Sequence, residues 1–187
     1  MTVNEEIERS TAFGQELEDL IVKRGTLTFV DQTRDRILLA YWSLVFDYDK
    51  SILHLLRAGF YGGAFALVRP MVEALVRAHI SLMGSDDDDA KIKADEYHVN
   101  FKTIGSQIDT AFVLDGFFDK FLNGARGALH SFTHSGLSQL GRRYTGGDLQ
   151  ARYEDGEIIE VIHVSTTAAF MTTNLLRIDS NLRTRNG

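Results

Sequence analysis

Residues 64–83 read AFALVRPMVEALVRAHISLM, a run that is apolar on almost any face of a helix. A helix apolar all round belongs inside a larger protein. This one nevertheless carries Arg69, Glu73 and Arg77, each four residues from the next. At 3.6 residues per turn a step of four rotates only about 40°, so the three charges share one stripe. Charges on a buried helix must be paired or put to use. The stretch therefore predicts a central helix with a polar centre on it. Pro70 sits within the run and admits two readings: a kink that opens space beside the stripe, or a regular helix that only begins there.

Working outward, residues 31–58 have the clearest helical period. Leu38, Trp42, Val45, Tyr48, Ile52 and Leu56 recur at steps of three and four. Asp31 or Thr33 is the expected cap, and Asp47, Asp49 and Lys50 are expected on the outer face. Gly59 and Gly62-Gly63 mark a short turn, which makes this helix the antiparallel neighbour of the central one. Upstream, residues 4–24 form an amphipathic helix with Ile7, Phe13, Leu17, Leu20 and Ile21 on its apolar side, weakened by Gly14.

Downstream, Ser85 before Asp86–Asp89 reads as the acidic start of a helix reaching about Phe101. It lacks the alternating acidic spacing and the glycine of a calcium loop. A short helix is expected over 103–113 and another over 116–134, GFFDKFLNGARGALHSFTH. A short helical turn and a polar loop with Arg142, Arg143 and Arg152 then lead to a last helix over about 157–178. Its core side holds Ile158, Ile159, Ile162, Ala169, Phe170 and Leu176, and a frayed tail follows over 179–187. The fold class is all-α: one domain, residues 1–187, as a bundle of about five or six helices.

Composition narrows the function. The net charge of −6 gives no general attraction to nucleic acid, so an RNA site would have to be a local basic patch. With no cysteine there is no thiolate chemistry and no thiolate zinc site. The start, MTVNEEIERS, lacks the basic-then-apolar layout of a signal peptide. Charges interrupt the longest apolar run, which argues against a membrane span. A cytoplasmic protein with no membrane partner is expected.

Three constellations bear on chemistry. Arg69–Glu73–Arg77 is either an ion-paired triad that fixes helix packing or a phosphate site, for which the guanidinium fork is suited. Arg126–His130–His134 forms a second four-residue stripe. Histidine titrates near neutrality and serves as acid or base, and an adjacent arginine can stabilise a pentavalent phosphate. The alternative is a pair of histidines hydrogen-bonded at a helix interface with Ser131, Thr133 and Ser135. His130 and His134 also have metal-ligand spacing, but HSFTH lacks the glutamate of the metalloprotease motif. A metal site would need completion by Glu73 or His163. No metal and no cofactor is predicted, and His54, His79 and His98 read as structural.

LVRPMVEALVRAHISL together with LHSFTHSGLSQLGRR resembles an uncharacterised group of bacterial all-helical proteins, loosely similar to the HEPN-like domains of toxin–antitoxin and antiphage systems. The resemblance covers about residues 64–143. It implies a helical bundle, a homodimer, and a metal-independent ribonuclease in which an arginine and a histidine of each subunit line a shared cleft. Carried onto this chain, Arg126 with His130 or His134 is the catalytic set, helped by Arg69 or Arg77 at the phosphate. Three residues separate Arg126 from His130 and seven separate it from His134, and neither matches the family's spacing. RNA is then the substrate, with an antitoxin or other protein as a possible partner. The rival expectation is a non-catalytic helical binding protein whose stripes are buried polar networks.

Overall fold

The computed structural model describes residues 2–22, 33–100, 103–112, 115–120, 122–123, 132, 140–145, 148–149 and 152–184. The helices with defined ends are α1 (Val3–Val22), α2 (Thr33–Arg57), α3 (Tyr61–Met83), α4 (Asp86–Lys93), α5 (Ile104–Phe112) and α6 (Asp155–Thr184). Residues 117–120 and 122–123 are helical as well. A 3-10 turn, Gly141–Arg143, leads into a minute antiparallel hairpin, β1 (Tyr144–Thr145) with β2 (Asp148–Leu149), which the sequence did not announce. Everything else with regular structure among the described residues is helix, as the periodicity predicts.

α3 is walled in as expected. It packs on α2 and α6 and also meets α4 and α5, while α1 lies on α2 and α6. Met71, Val72, Leu75, Val76 and Ala78 are fully buried. Each of the larger side chains gains about 1.5–3 kcal/mol from leaving water. The helix runs unbroken from Tyr61 through Pro70, so it does not begin at the proline. Gly59, at φ +77°, makes the tight turn from α2. Trp42 stacks near Phe46 and its indole N–H reaches Thr173 Oγ1 at 3.2 Å, fixing α2 against α6.

Several expectations are corrected. Asp49 is not on the outer face of α2. It is buried against α6, where the Ser165 hydroxyl donates to its carboxylate. Gly14 lies over this pair, and a Cβ there would stand 3.4 Å from Asp49 Oδ2. Leu20 and Phe170 are exposed rather than core, although Phe170 still reaches the Phe13 ring. α4 begins at the acidic run as expected, with a capping box between Ser85 and Asp88, but stops at Lys93, well before Phe101. Asp95 turns left-handed at φ +58°, and Glu96 N–H closes back on the Lys91 carbonyl at 2.8 Å, which ends the helix. α6 runs on to Thr184, past the expected frayed point. Asp31, and the Gly124 and Gly127 of the 116–134 segment, lie outside the described residues.

Where the 116–134 segment starts, α5 supplies the cap. Asp109 is buried, and its two oxygens each accept a backbone N–H at 2.8 Å, from Phe118 and Asp119. Gly105, one turn earlier on α5, lets that backbone approach: an added Cβ would stand 2.6 Å from Asp119 Cα. Because a backbone atom and not a flexible tip is in the way, Gly105→Ala is expected to cost about 1–3 kcal/mol in urea unfolding.

Burial lifts the Asp49 carboxyl to about 6, against a smaller opposing pull from Ser165 and Lys50. A folded-state value above the unfolded one means that this group favours folding while it is protonated. That contribution is full below about pH 4 and lost as pH rises through about 6, a swing of about 3 kcal/mol. Asp49→Asn is expected to be more stable than the parent at pH 7.5. The gap should close as pH falls to 4, as read by thermal unfolding across pH; a gap constant with pH would contradict the assignment.

Candidate functional site

The α3 stripe is not one triad. Arg69 Nε donates to Glu73 Oε1 at 2.8 Å across one turn, and both side chains remain about a quarter exposed (25% and 28%). Arg77 stands apart from that pair. Its Nη2 reaches the Tyr97 carbonyl at 3.3 Å, in the connection after α4, and its Nε is buried with no hydrogen-bond partner among the described residues. The Tyr41 hydroxyl from α2 lies beside it: burial raises that phenol, and Arg77 draws it partly back. The stripe thus links α3 to α2 and to the α4–α5 connection.

Arg126, His130 and His134 lie outside the described residues. Phe132, between the two histidines in sequence, is described: it is helical, buried, and stacks on Phe65 with ring centroids 5.0 Å apart. Phe65 begins the same four-residue file on α3 that continues as Arg69, Glu73 and Arg77. Tyr153 completes the aromatic group at 5.0 Å from Phe65, and Tyr61 joins it at 5.4 Å.

An arginine that the sequence marked only as locally basic closes this group. The Arg142 guanidinium lies 5.2 Å from the Tyr153 ring, 5.5 Å from Phe132 and 6.0 Å from Phe65. Two of its nitrogens donate to the two carboxylate oxygens of Glu157, each at 2.5 Å. That hydrogen bonding raises Arg142 and holds Glu157 below the usual carboxylate range. The Arg152 N–H closes onto the Arg142 carbonyl at 2.9 Å. The clasp fastens the Gly141–Arg143 turn to the start of α6 through Glu157 and to the start of α3 through Phe65.

A family of unknown function, DUF6988, matches residues 42–184. The chain belongs to that family. No curated protein and no solved structure matches the chain. DUF6988 therefore brings no assigned activity and no link to HEPN domains. The matched residues run from Trp42 in α2 to the end of α6 and include Arg69, Glu73, Arg77, Arg142 and Glu157; α1 precedes them.

A second polar centre was missed in the sequence, because its two halves are 157 positions apart. Glu6 of α1 is buried, with 1% of its side chain exposed, and His163 Nε2 of α6 lies 3.0 Å from its Oε1. Arg9 Nη2 reaches the same oxygen at 2.5 Å, while Oε2 is buried with no partner among the described residues. Burial pushes the Glu6 carboxyl up, but the hydrogen bonds from Arg9 and His163 outweigh it and leave it below the ordinary value. His163 also borders a cavity of about 810 Å³ between α6 and residues 115–120, floored by the buried Val72, Phe118 and Ala168. Of the remaining histidines, His79 is buried and drawn down by burial, whereas His54 and His98 are exposed. Among the described residues no group of three acidic or imidazole side chains is placed to hold a metal ion, and no helix is long and apolar enough to cross a membrane.

The clasp gives a direct prediction. Arg142→Ala removes a stacked, bidentate guanidinium that is still partly open to solvent, and should cost about 2 kcal/mol in urea unfolding. Arg142→Lys keeps the charge but loses the fork, so it should recover less than half of that loss. Full recovery by lysine would reduce the clasp to a point charge.

Proposed function

We propose that this DUF6988 chain is a HEPN-like, metal-independent ribonuclease acting as a homodimer, of the kind used as a toxin or antiphage effector. In this reading one histidine of His130 and His134 takes the proton from an RNA 2′-hydroxyl, and the oxygen attacks the adjacent phosphorus. The 5′-oxygen leaves and receives a proton from a histidine acting as acid, and Arg126 stabilises the pentavalent phosphate. The products are a cyclic phosphate and a free 5′-hydroxyl. No metal or cofactor enters the step.

The observation that carries the reading is the buried, helical Phe132 on Phe65. That contact ties the stretch of sequence that carries the two histidines to α3 at Phe132, beside the Phe65 from which the Arg69–Glu73–Arg77 file continues. On α3, Arg69 is engaged with Glu73 and Arg77 with the Tyr97 carbonyl, contacts that support a packing role for this stripe beside the proposed site.

A second reading, a non-catalytic interaction protein, is favoured by exposed apolar side chains. Phe60 and Met83, at the two ends of α3, are 65% and 63% exposed. Single exposed residues are common on any surface, so they support this reading less strongly. One experiment separates the two: expression of the wild type and of a His130→Ala/His134→Ala double variant in bacteria, following growth and total RNA. Growth arrest with RNA fragmentation by the wild type alone is the expected result, provided both proteins unfold at the same urea concentration. Intact RNA with both proteins leaves the interaction reading.

A further inference from the structure

We infer that the cavity between α6 and residues 115–120 is a binding site for an apolar small molecule bearing a hydrogen-bond-donating head, an amine or a hydroxyl, seated on His163. The inference is independent of the ribonuclease reading and uses none of its residues.

The volume of about 810 Å³ lies in the range of small-molecule sites, about 300–1,000 Å³. The floor suits the body of such a ligand: Val72 of α3, Phe118 and Ala168 of α6 are apolar and nearly inaccessible to water. Glu160, His163 and Thr167 recur along this side of α6 at helical spacing. The polar groups sit at the rim, which orients a ligand with its head outward.

The chemistry of the head follows from His163. Glu6 is held as a carboxylate, because its hydrogen bonds from Arg9 and His163 favour the charged form. With the imidazole neutral, Nε2–H donates to Glu6, and Nδ1 keeps its lone pair. His163 lines the cavity, so an occupant that reaches Nδ1 meets an acceptor and must supply a proton. Among the described residues the charged groups at the rim are Asp115 and Glu160 against Lys120, which leaves the rim net negative. An amine or hydroxyl is favoured, and a carboxylate head is disfavoured.

Three probes with one phenyl body and different heads test this: phenethylamine, phenethyl alcohol and phenylacetate. They are titrated into the isotope-labelled full chain at mildly alkaline pH, with backbone amide shifts as the readout. The amine and the alcohol are expected to shift Phe118, Ile159, His163 and Thr167 saturably, with phenylacetate about tenfold weaker. His163→Phe keeps the ring volume and loses the acceptor, so the amine should weaken about fivefold, the worth of one hydrogen bond, and the preference among heads should shrink. Thr167→Trp should block all three probes. Glu160→Arg, an exposed rim change, should reverse the order of amine and carboxylate, and it tests the site even if the tryptophan variant fails to fold. The inference is overturned if no probe shifts these amides saturably. It is also overturned if phenylacetate equals phenethylamine on the wild type, or if Glu160→Arg leaves the order unchanged.

Discussion

A helix buried around most of its circumference must be walled on nearly every side, and α3 imposes that requirement on this chain. Val72, Leu75 and Val76 find partners only if α2, α6 and the α4–α5 region all close around them. The arrangement of the other helices follows. α2 is joined to α3 by a three-residue turn and lies back along it, α6 returns from the far end of the sequence to cover a second side, and α1 seals the joint between α2 and α6. The hydrophobic term drives this closure but has no direction of its own, so register is left to polar contacts: Trp42 on Thr173, Asp49 on Ser165, Arg142 on Glu157.

Those polar contacts are of two kinds. Arg142 is stacked and bidentate, which satisfies a cation at the edge of the core with its counter-charge in place. Asp49 and Glu6 are carboxylates carried further inside. Burial raises the proton affinity of both, and the partners of both pull it back: the Ser165 hydroxyl too weakly to offset burial at Asp49, Arg9 and His163 strongly enough to reverse it at Glu6. Two buried acids of similar chemistry thus end on opposite sides of the ordinary value, according to the strength of the donors that surround them.

Local pattern carried the reading of the sequence wherever the cause was local. The burial of α3, the spacing along α2 and the acidic start of α4 depend on residues within a turn or two of one another, and each was legible. Features set by distant partners were not. Asp49 looks like an outward residue until Ser165, 116 positions away, arrives against it. Arg142 looks like loop charge until Phe65, Phe132 and Tyr153 converge on it. The early end of α4 turns on one left-handed aspartate, a conformation that sequence period does not encode. Of the candidate site, the Arg69–Glu73 pair was visible as helical spacing, whereas the separation of Arg77 needed Tyr97 in place. The His163–Glu6 contact left no sequence signal: Glu6 and Arg9 read as ordinary charge on an acidic first helix until His163, 157 positions away, arrives against them.

The acidic start of α4 gives the molecule an electrical direction. Asp86–Asp89, with Asp95 and Glu96, place six carboxylates against Lys91 and Lys93 just beyond the C-terminal end of α3. The aromatic clasp lies near the other end, about 27 Å away along the helix axis. That separation exceeds the screening length of about 8 Å at physiological salt, so each end presents its own local field. A polyanion approaching the bundle is repelled from the α4 end at short range, and added salt shortens the reach of that repulsion. The bundle is thus biased in the direction from which a long anionic chain can come alongside, whatever its sequence.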